Sequence, residues 1–440
     1  MDSSSVSVGL LGWGTVGTGV SKILVNQNQL ISQNAGVHLR LARIAKRTLP
    51  VSSDGFQLPS ECFTTDPAEV VDNPDIDIVV ELIGGVTDAR RFIVRAIQNG
   101  KHVVTANKAL LAEHGFELFQ LASKMRVSLN FEASTAGGIP IIKTLKESFA
   151  ANRIQSIYGI INGTCNYILT QMHEEGAAFD EVLREAQALG YAEADPMLDI
   201  EGIDAAQKLT LLTALAYGFN IPLQEIYTEG VTKITQKEIQ HAHELGYVIK
   251  LLAIAKRNKG KIEARVHPTM VPVRSMLANV GGAFNTVCVI GDAVGPTLFY
   301  GQGAGEMPTA SAVVADIIDS AKSICGHTDA HVPPGWLSES QSDVSACPID
   351  AIETRYYVRL MALDQPGVLA QVSSIFSAHH ISIASLIQKE RHETDGTASI
   401  VMVTHEAVEK DMQAAMQKID ALDTIKRTSQ LIRIEDEVAF

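Results

Sequence analysis

The sequence predicts an α/β protein in three parts: a doubly wound parallel sheet, a central α+β domain and a small C-terminal βαββαβ module. Three observations support this. A strand pattern at 6–11 runs through three glycines into a helical pattern, the apolar alternation changes after about residue 133, and the last segment orders its elements β-α-β-β-α-β. The doubly wound domain is expected at 1–132, completed by a helix at about 306–324. The central domain is expected at 133–325, a linker at 326–353 and the C-terminal module at 354–434.

Composition excludes several classes of protein. The 440 residues are 46% hydrophobic, enough for two or three packed cores, and the net charge of -14 without a basic run argues against nucleic acid or an anionic membrane as partner. Five widely spaced cysteines without a CxxC pair indicate neither a disulfide framework nor a zinc site. No leader pattern opens the sequence and no stretch approaches the roughly eighteen apolar residues of a spanning helix. We therefore expect a cytoplasmic protein.

A dinucleotide site is expected at the glycine loop after the first strand. Gly12, Gly14 and Gly17 form GxGxxG, which permits a tight turn and close approach of the backbone to a pyrophosphate. Thr15 and Val16 begin the helix whose N-terminus would face the phosphates. Further parallel strands are expected at 39–45, 76–83 and 102–105. The alternative is a glycine-rich turn that only packs helix on strand.

The end of the second strand indicates which dinucleotide is preferred. LARIAKRT lacks the acid that would bind a ribose 2′-hydroxyl, and it carries Lys46 and Arg47 instead. Two cations suit a 2′-phosphate, so NADP is favoured over NAD.

The central and C-terminal parts follow from alternation and turn residues. In the central part we expect strands in 153–163, 261–271, 284–291 and 296–301, and helices at 177–189, 203–217, 236–256 and 308–322. The last of these helices would return to the first domain. Beyond the linker we expect strands at 355–363, 382–389, 397–404 and 427–434 and helices at 368–380 and 406–420, as a separately folding module.

The helix at 203–217 carries one lysine in an otherwise apolar segment. It is rich in Ala and Leu without Gly or Pro, which predicts a buried helix. Asp204 and Lys208 are four residues apart and share a face. Lysine is almost never fully buried unpaired, so these residues alone leave two interpretations open, a structural ion pair at a helix end or a functional pair.

Seven ordered motifs give the chain a family resemblance. It resembles the bacterial homoserine dehydrogenases that carry a C-terminal ACT regulatory domain. The motifs are GLLGWGTVGTGV at 9–20, VVTANKALLA at 103–112, FEASTAGGIPII at 131–142, INGTCNYIL at 161–169, the segment 191–218, ELGYVIKLLAIAK at 244–256 and FYGQGAGEMPTASAVVADI at 299–317.

The resemblance implies an activity and catalytic residues. NADPH, or NADH, would reduce L-aspartate 4-semialdehyde to L-homoserine in threonine and methionine biosynthesis. Lys208 would protonate the carbonyl oxygen as hydride arrives at the carbon, and Asp204 would orient its ammonium. Lys108, after the fourth strand, would lie beside the nicotinamide and the substrate.

The resemblance also implies binding residues. Glu193 would hold the α-ammonium of the substrate. The remaining substrate contacts would be Tyr191, Gly163, Thr164 and Asp199, and further cofactor contacts would be Gly303, Gly305 and Arg47. For Asp195 we prefer a solvated acid before a helix.

Three further expectations concern ions and partners. The resemblance implies that Glu132, Thr135, Gly137 and Ile139 supply oxygens to a monovalent cation, with sodium as the family expectation, that fixes the hinge between domains; the alternative is a glycine-rich hinge without metal. Gly367 in the ACT module would allow a small amino acid, threonine, to bind across a domain pair. The family habit favours a homodimer or homotetramer.

Other functions remain as alternatives. One is a dinucleotide-dependent oxidoreductase acting on another amino-acid aldehyde, and another is a catalytically silent amino-acid sensor. Retention of Lys108, Glu193, Asp204 and Lys208 argues against the sensor. A thiolate nucleophile at Cys165 is a further alternative, although buried cysteines are usually inert.

Overall fold

The structure is a computed structural model that describes residues 5–49, 55–218, 220–258, 260–326, 345–392 and 396–438. The strands, in chain order, are β1 (Ser5–Leu11), β2 (His38–Ala45), β3 (Phe63–Thr64), β4 (Ile78–Glu81), β5 (His102–Thr105), β6 (Leu129–Asn130), β7 (Ile154–Ile160), β8 (Tyr227–Thr228), β9 (Tyr247–Asn258), β10 (Lys261–Pro272), β11 (Phe284–Gly291), β12 (Gly295–Gln302), β13 (Ser345–Ala346), β14 (Glu353–Leu363), β15 (Ile383–His392), β16 (Thr397–Thr404), β17 (Ala407–Val408) and β18 (Ile425–Ile434).

The α-helices are α1 (Thr15–Asn26), α2 (Asn28–Ala35), α3 (Ala68–Val71), α4 (Thr87–Gln98), α5 (Lys108–Met125), α6 (Ile141–Lys143), α7 (Gly163–Glu175), α8 (Phe179–Ala188), α9 (Met197–Ile200), α10 (Ile203–Tyr217), α11 (Gln236–Glu244), α12 (Glu306–Ile324), α13 (Val368–Ala378) and α14 (Glu409–Asp420). No helix in these described ranges combines the length and apolar character needed to cross a bilayer.

The chain forms two compact units. The first comprises 1–163, 204–226 and 283–344, and the second comprises 164–203, 227–282 and 345–440.

The first unit contains the expected doubly wound sheet. Its six strands are parallel in the order β3-β2-β1-β4-β5-β6, with a core that includes Val8, Leu10 and Ile78. The helix α12 returns to this sheet: Lys22 on α1 pairs with Glu306 at 2.7 Å, and a Cβ on Gly19 would lie 2.9 Å from the Cβ of Ala310. In the same unit β7, β11 and β12 pair antiparallel.

The second unit corrects one expected helix. The prediction of a helix over 236–256 was wrong beyond Glu244, because α11 ends there, Gly246 takes a φ of 81° and the chain continues as β9. β9 pairs antiparallel with β10 from Tyr247 to Asn258. The strand is apolar on both faces, and a continuous apolar run does not distinguish a buried strand from a buried helix.

The C-terminal module has the expected βαββαβ order, with its main strands arranged β18-β14-β16-β15. It also extends the sheet of the second unit, since β18 pairs in parallel with β10 at Thr269 and Arg433. Buried ion pairs join the same elements: Arg433 contacts Glu409 at 2.5 Å and Glu229 at 3.0 Å. The module is therefore part of a larger packed unit. Of the expected linker, residues 327–344 lie outside the described residues.

Candidate active site

The glycines of the first loop have two different structural roles. Gly12 takes a φ of +104°, and a Cβ there would lie 2.6 Å from the Leu82 carbonyl oxygen; a Cβ on Gly17 would lie 2.4 Å from the Gly12 oxygen. Packing alone therefore excludes a side chain at both positions. A Cβ on Gly14, the residue preceding α1, would have no atom of the described part of the chain within 4 Å, apart from its own chain neighbours. Gly14 thus leaves open space where a pyrophosphate approaches the helix N-terminus in dinucleotide-binding folds.

A cavity of about 840 Å³ lies at this loop. Gly12, Trp13 and Gly14 form part of its wall, and Lys46 and Arg47 from the end of β2 form another part. The Lys46 ammonium lies 5.1 Å from the centre of the Trp13 ring. These features together fit a nicotinamide dinucleotide. They are the open position at Gly14, the amides of the first helical turn, where Thr15 and Val16 lie, and the basic wall of the cavity.

Two alanine substitutions separate these roles. We expect Gly14→Ala to leave the melting temperature unchanged, because φ is -91° there and the position is open, while weakening NADPH binding about tenfold or more through contact with the pyrophosphate. Gly17→Ala should instead lower the free energy of unfolding by about 1–3 kcal/mol, the usual cost of overpacking. Thermal melts and NADPH fluorescence titrations check both. If Gly14→Ala and Gly17→Ala lowered the free energy of unfolding equally, the assignment of Gly14 to cofactor binding and of Gly17 to packing would be contradicted.

The lysine of α10 lies in a buried polar cluster of the first unit. Lys208 is 9% exposed and Asp204 7% exposed. The Lys208 Nζ donates to Asp204 Oδ2 and to the carbonyl oxygen of Ile161, both at 2.7 Å. Asn162 Nδ2 donates to the same Asp204 oxygen at 2.8 Å.

A second ammonium reaches the same carboxylate. Lys108, the first residue of α5, is partly exposed, and its Nζ lies 3.1 Å from Asp204 Oδ1. Burial alone would raise the pKa of Asp204, but the charges of Lys208 and Lys108 and the hydrogen bonds from Lys208 and Asn162 outweigh it and lower the pKa to about 2. A carboxylate between two ammonium groups can hold both of them in place.

Several sequence-predicted substrate residues meet in the second unit. The Thr164 hydroxyl lies 2.7 Å from the Tyr191 carbonyl oxygen and 3.2 Å from Asp199 Oδ2. Cys165 is buried, and its Sγ donates to the Asp199 carbonyl oxygen at 3.1 Å. A buried thiol that donates to a backbone carbonyl fits a structural cysteine.

Two acids in the loop before α9 differ in environment. Asp195 Oδ1 accepts the Met197 amide at 3.2 Å, as expected for an acid at a helix start. Glu193 is exposed, and among the described residues its carboxylate forms no ion pair. Its side chain is therefore available to a ligand.

The remaining predicted glycines lie in the first unit, and three of them closely approach other segments of the chain. A Cβ on Gly303 would lie 2.0 Å from Asn285 Nδ2, and one on Gly163 would lie 2.8 Å from the Ala283 oxygen. Gly305 has a φ of +124° and precedes α12. A Cβ on Gly137 would lie 2.4 Å from the Gly303 oxygen, so the predicted cation loop contacts the predicted cofactor loop.

The predicted cation loop contains buried oxygens. Both oxygens of Glu132 accept backbone amides, from Ile142 at 2.8 Å and Lys143 at 2.7 Å. Burial raises the pKa of Glu132. The Thr135 hydroxyl is buried and has no hydrogen-bond partner among the residues that the structure describes, while the Ile139 carbonyl accepts the Ile141 amide. The unpartnered hydroxyl and the buried carboxylate fit a hard monovalent cation, although part of the predicted oxygen set is already engaged.

Asn162 and Glu81 are functional candidates that were not predicted from the sequence. Asn162 lies in the quoted INGTCNYIL motif, so the motif contained a signal for it. Glu81 ends β4, and only its position at the carboxyl edge of a parallel sheet could have suggested a role.

Comparisons with known proteins agree along the chain. Family models match as "Homoserine dehydrogenase, NAD binding domain" at 12–132, "Homoserine dehydrogenase" at 140–318 and "ACT domain" at 356–424. A homoserine dehydrogenase of Pseudomonas aeruginosa is 47% identical, covering 98% of this chain and 99% of that protein; one of Neisseria gonorrhoeae is 48% identical, covering 98% of each. The crystal structure of a homoserine dehydrogenase from Thiobacillus denitrificans matches with a TM-score of 0.90 at 48% identity, covering 98% of this chain and 99% of that one.

Proposed function

The chain belongs to the homoserine dehydrogenase family of NAD(P)-dependent oxidoreductases, and on that premise we propose that it reduces L-aspartate 4-semialdehyde to L-homoserine with Lys208 as proton donor. The observation that carries the proposal is the buried cluster in which Asp204 holds the ammoniums of Lys208 and Lys108. The reaction would serve threonine and methionine biosynthesis in the cytoplasm.

The chemistry follows from where charge develops. When bound, the nicotinamide supplies hydride to the carbonyl carbon. Negative charge then accumulates on the carbonyl oxygen, and Lys208 both stabilises this charge and donates a proton to the oxygen. Asp204 and Ile161 accept two of the three N–H groups of Lys208, and the third would donate to the carbonyl oxygen of the substrate. Lys108 adds positive charge beside the same carboxylate.

The cofactor would be NADP rather than NAD. Supporting this proposal, Lys46 and Arg47 line the cavity at the end of β2, where an NAD enzyme of this fold carries an acid. Their charges would pair with a 2′-phosphate.

The substrate's α-ammonium would be bound by Glu193, with Tyr191, Gly163, Thr164 and Asp199 as further contacts. We expect Glu193→Gln to raise KM for L-aspartate 4-semialdehyde by about tenfold or more, because a charged hydrogen bond to the ammonium is lost. The kcat should change less. Asp195→Asn is the matched control, since that carboxylate caps a helix start. A KM that stays at the wild-type value would exclude the ammonium contact.

The regulatory and ionic parts complete the proposal. Sodium would bind the loop of Glu132, Thr135, Gly137 and Ile139 and rigidify it against Gly303. Threonine would be the effector of the ACT module, where Gly367, with a φ of 95°, precedes α13 and leaves its start open. The working form would be a homodimer or homotetramer.

The test is loss of NADPH absorbance with L-aspartate 4-semialdehyde. Turnover that is faster with NADPH than with NADH supports both the reaction and the cofactor preference. Absence of turnover with either cofactor would reject the function. Equal turnover of an aldehyde that lacks the α-ammonium would favour the alternative oxidoreductase.

A further inference from the structure

A fully buried carboxylate lies at the carboxyl end of β4, outside the cluster of α10. Glu81 is 0% exposed. Its Oε1 accepts the amides of Ile83 at 2.8 Å and Gly84 at 3.2 Å, and its Oε2 accepts the Thr105 hydroxyl at 2.7 Å. Burying a carboxylate is costly unless its oxygens are hydrogen-bonded, and here both of them are.

The contacts of Glu81 lead to the first residue of α5. The Thr105 hydroxyl, at the end of β5, accepts the Asn107 amide at 3.0 Å. Asn107 in turn caps α5 by accepting the Leu110 amide at 3.1 Å. The next residue is Lys108, whose ammonium contacts Asp204. One carboxylate is thus connected through two hydrogen bonds to the backbone that carries a catalytic lysine.

The other side of the network reaches the cofactor cavity. Asn107 Nδ2 donates to the Gly85 oxygen at 2.7 Å, which closes a ring of hydrogen bonds around the loop 82–85. Leu82 and Ile83 of this loop line the cavity, and the Leu82 oxygen is the atom that a Cβ on Gly12 would strike. A displacement of the loop would therefore move the cavity wall and Lys108 together.

We propose that Glu81 is a positioning residue for the reaction: through Thr105 and Asn107 it fixes Lys108 relative to the wall of the cofactor cavity. This inference rests on the proposed function, in which Lys108 acts on the substrate. Glu81 itself contacts backbone amides and a hydroxyl, so it acts only through these groups.

The experiment uses isosteric variants of the full-length protein. Thr105→Val removes the hydroxyl at constant shape, and Glu81→Gln replaces an acceptor with a donor. We expect both to lower kcat by about tenfold to a hundredfold, the usual effect of a small misplacement of a catalytic group, and to weaken NADPH binding severalfold. Thr105→Ser keeps the hydroxyl and should restore kcat to within about twofold.

A double-mutant cycle separates positioning from general stability. If Thr105 acts through Lys108, the pair Thr105→Val and Lys108→Met should be no slower than Lys108→Met alone. Asp77→Asn is the matched control, because this carboxylate precedes β4, at the opposite end of that strand, and accepts the Ser7 amide at 2.8 Å. Additive losses in the cycle, or an equal loss in Asp77→Asn, would overturn the proposal.

One further variant keeps the test decisive if the two buried substitutions prevent folding. Asn107→Ser retains a helix cap while removing the contact with Gly85, and it should lower kcat severalfold. An unchanged kcat would overturn the proposal. Failure of the wild-type protein to reduce L-aspartate 4-semialdehyde rejects the proposed function instead, which distinguishes the two failures.

Discussion

Lys208→Met is expected to lower kcat for aspartate semialdehyde reduction by about a thousandfold, within the range of 10²–10⁴ typical of a lost general acid. Methionine keeps the length and apolar stem of the side chain but removes the charge and the proton. The ammonium that Asp204 holds at 2.7 Å in the wild type is then missing. The negative charge that develops on the carbonyl oxygen in the transition state is therefore not neutralised. Initial rates at saturating NADPH measure the effect.

The cofactor binding of this variant should remain intact. The dinucleotide cavity is lined by the glycine loop and by Lys46 and Arg47, and Lys208 is not part of its wall. NADPH titrations should therefore give the wild-type dissociation constant. Lys256→Met is a matched control: it also removes a mostly buried lysine from an ion pair, with Glu435 at 2.7 Å. If Lys208→Met retained turnover, the ion pair between Lys208 and Asp204 would have only a structural role.

The parts that sequence predicts well are those governed by neighbours in the chain. GxGxxG between strand and helix requires only local turn geometry, and Gly12 and Gly17 are where the packing excludes a side chain. Asp204 and Lys208 pair because four residues span one helical turn. The expectation of a buried helix around them was confirmed at α10, from Ile203 to Tyr217.

The parts that sequence misses depend on contacts between distant segments. The apolar segment VIKLLAIA is compatible with either a buried helix or a buried strand. It forms a strand because it pairs with β10. Glu81 and Thr105 are on neighbouring strands of the sheet, so no local pattern reveals their contact. Asn162 contacts Asp204 from 42 residues away in sequence. A buried polar side chain obtains its role from its partners.

Asp204→Asn is expected to impair both activity and stability, because two ammonium groups then lose their shared counter-charge. Breaking a buried ion pair by removing one partner costs about 3–5 kcal/mol of unfolding free energy. The reduction rate should also fall, because the Lys208 ammonium loses the charge-assisted hydrogen bond to the carboxylate at 2.7 Å that orients it. Initial rates and denaturant unfolding measure the two effects.

The pH dependence of stability gives this prediction a definite sign. The pKa of Asp204 is lowered from 3.8 to about 2 in the folded protein, so its carboxylate stabilises the fold at pH values above about 4, and this contribution is lost as the pH falls toward 2. Asp204→Asn lacks the contribution at every pH. The difference in unfolding free energy between wild type and variant should therefore be constant above about pH 4 and narrow below it. A difference that stays constant down to pH 2 would show that the Asp204 carboxylate does not stabilise the fold through its contacts with the two lysines.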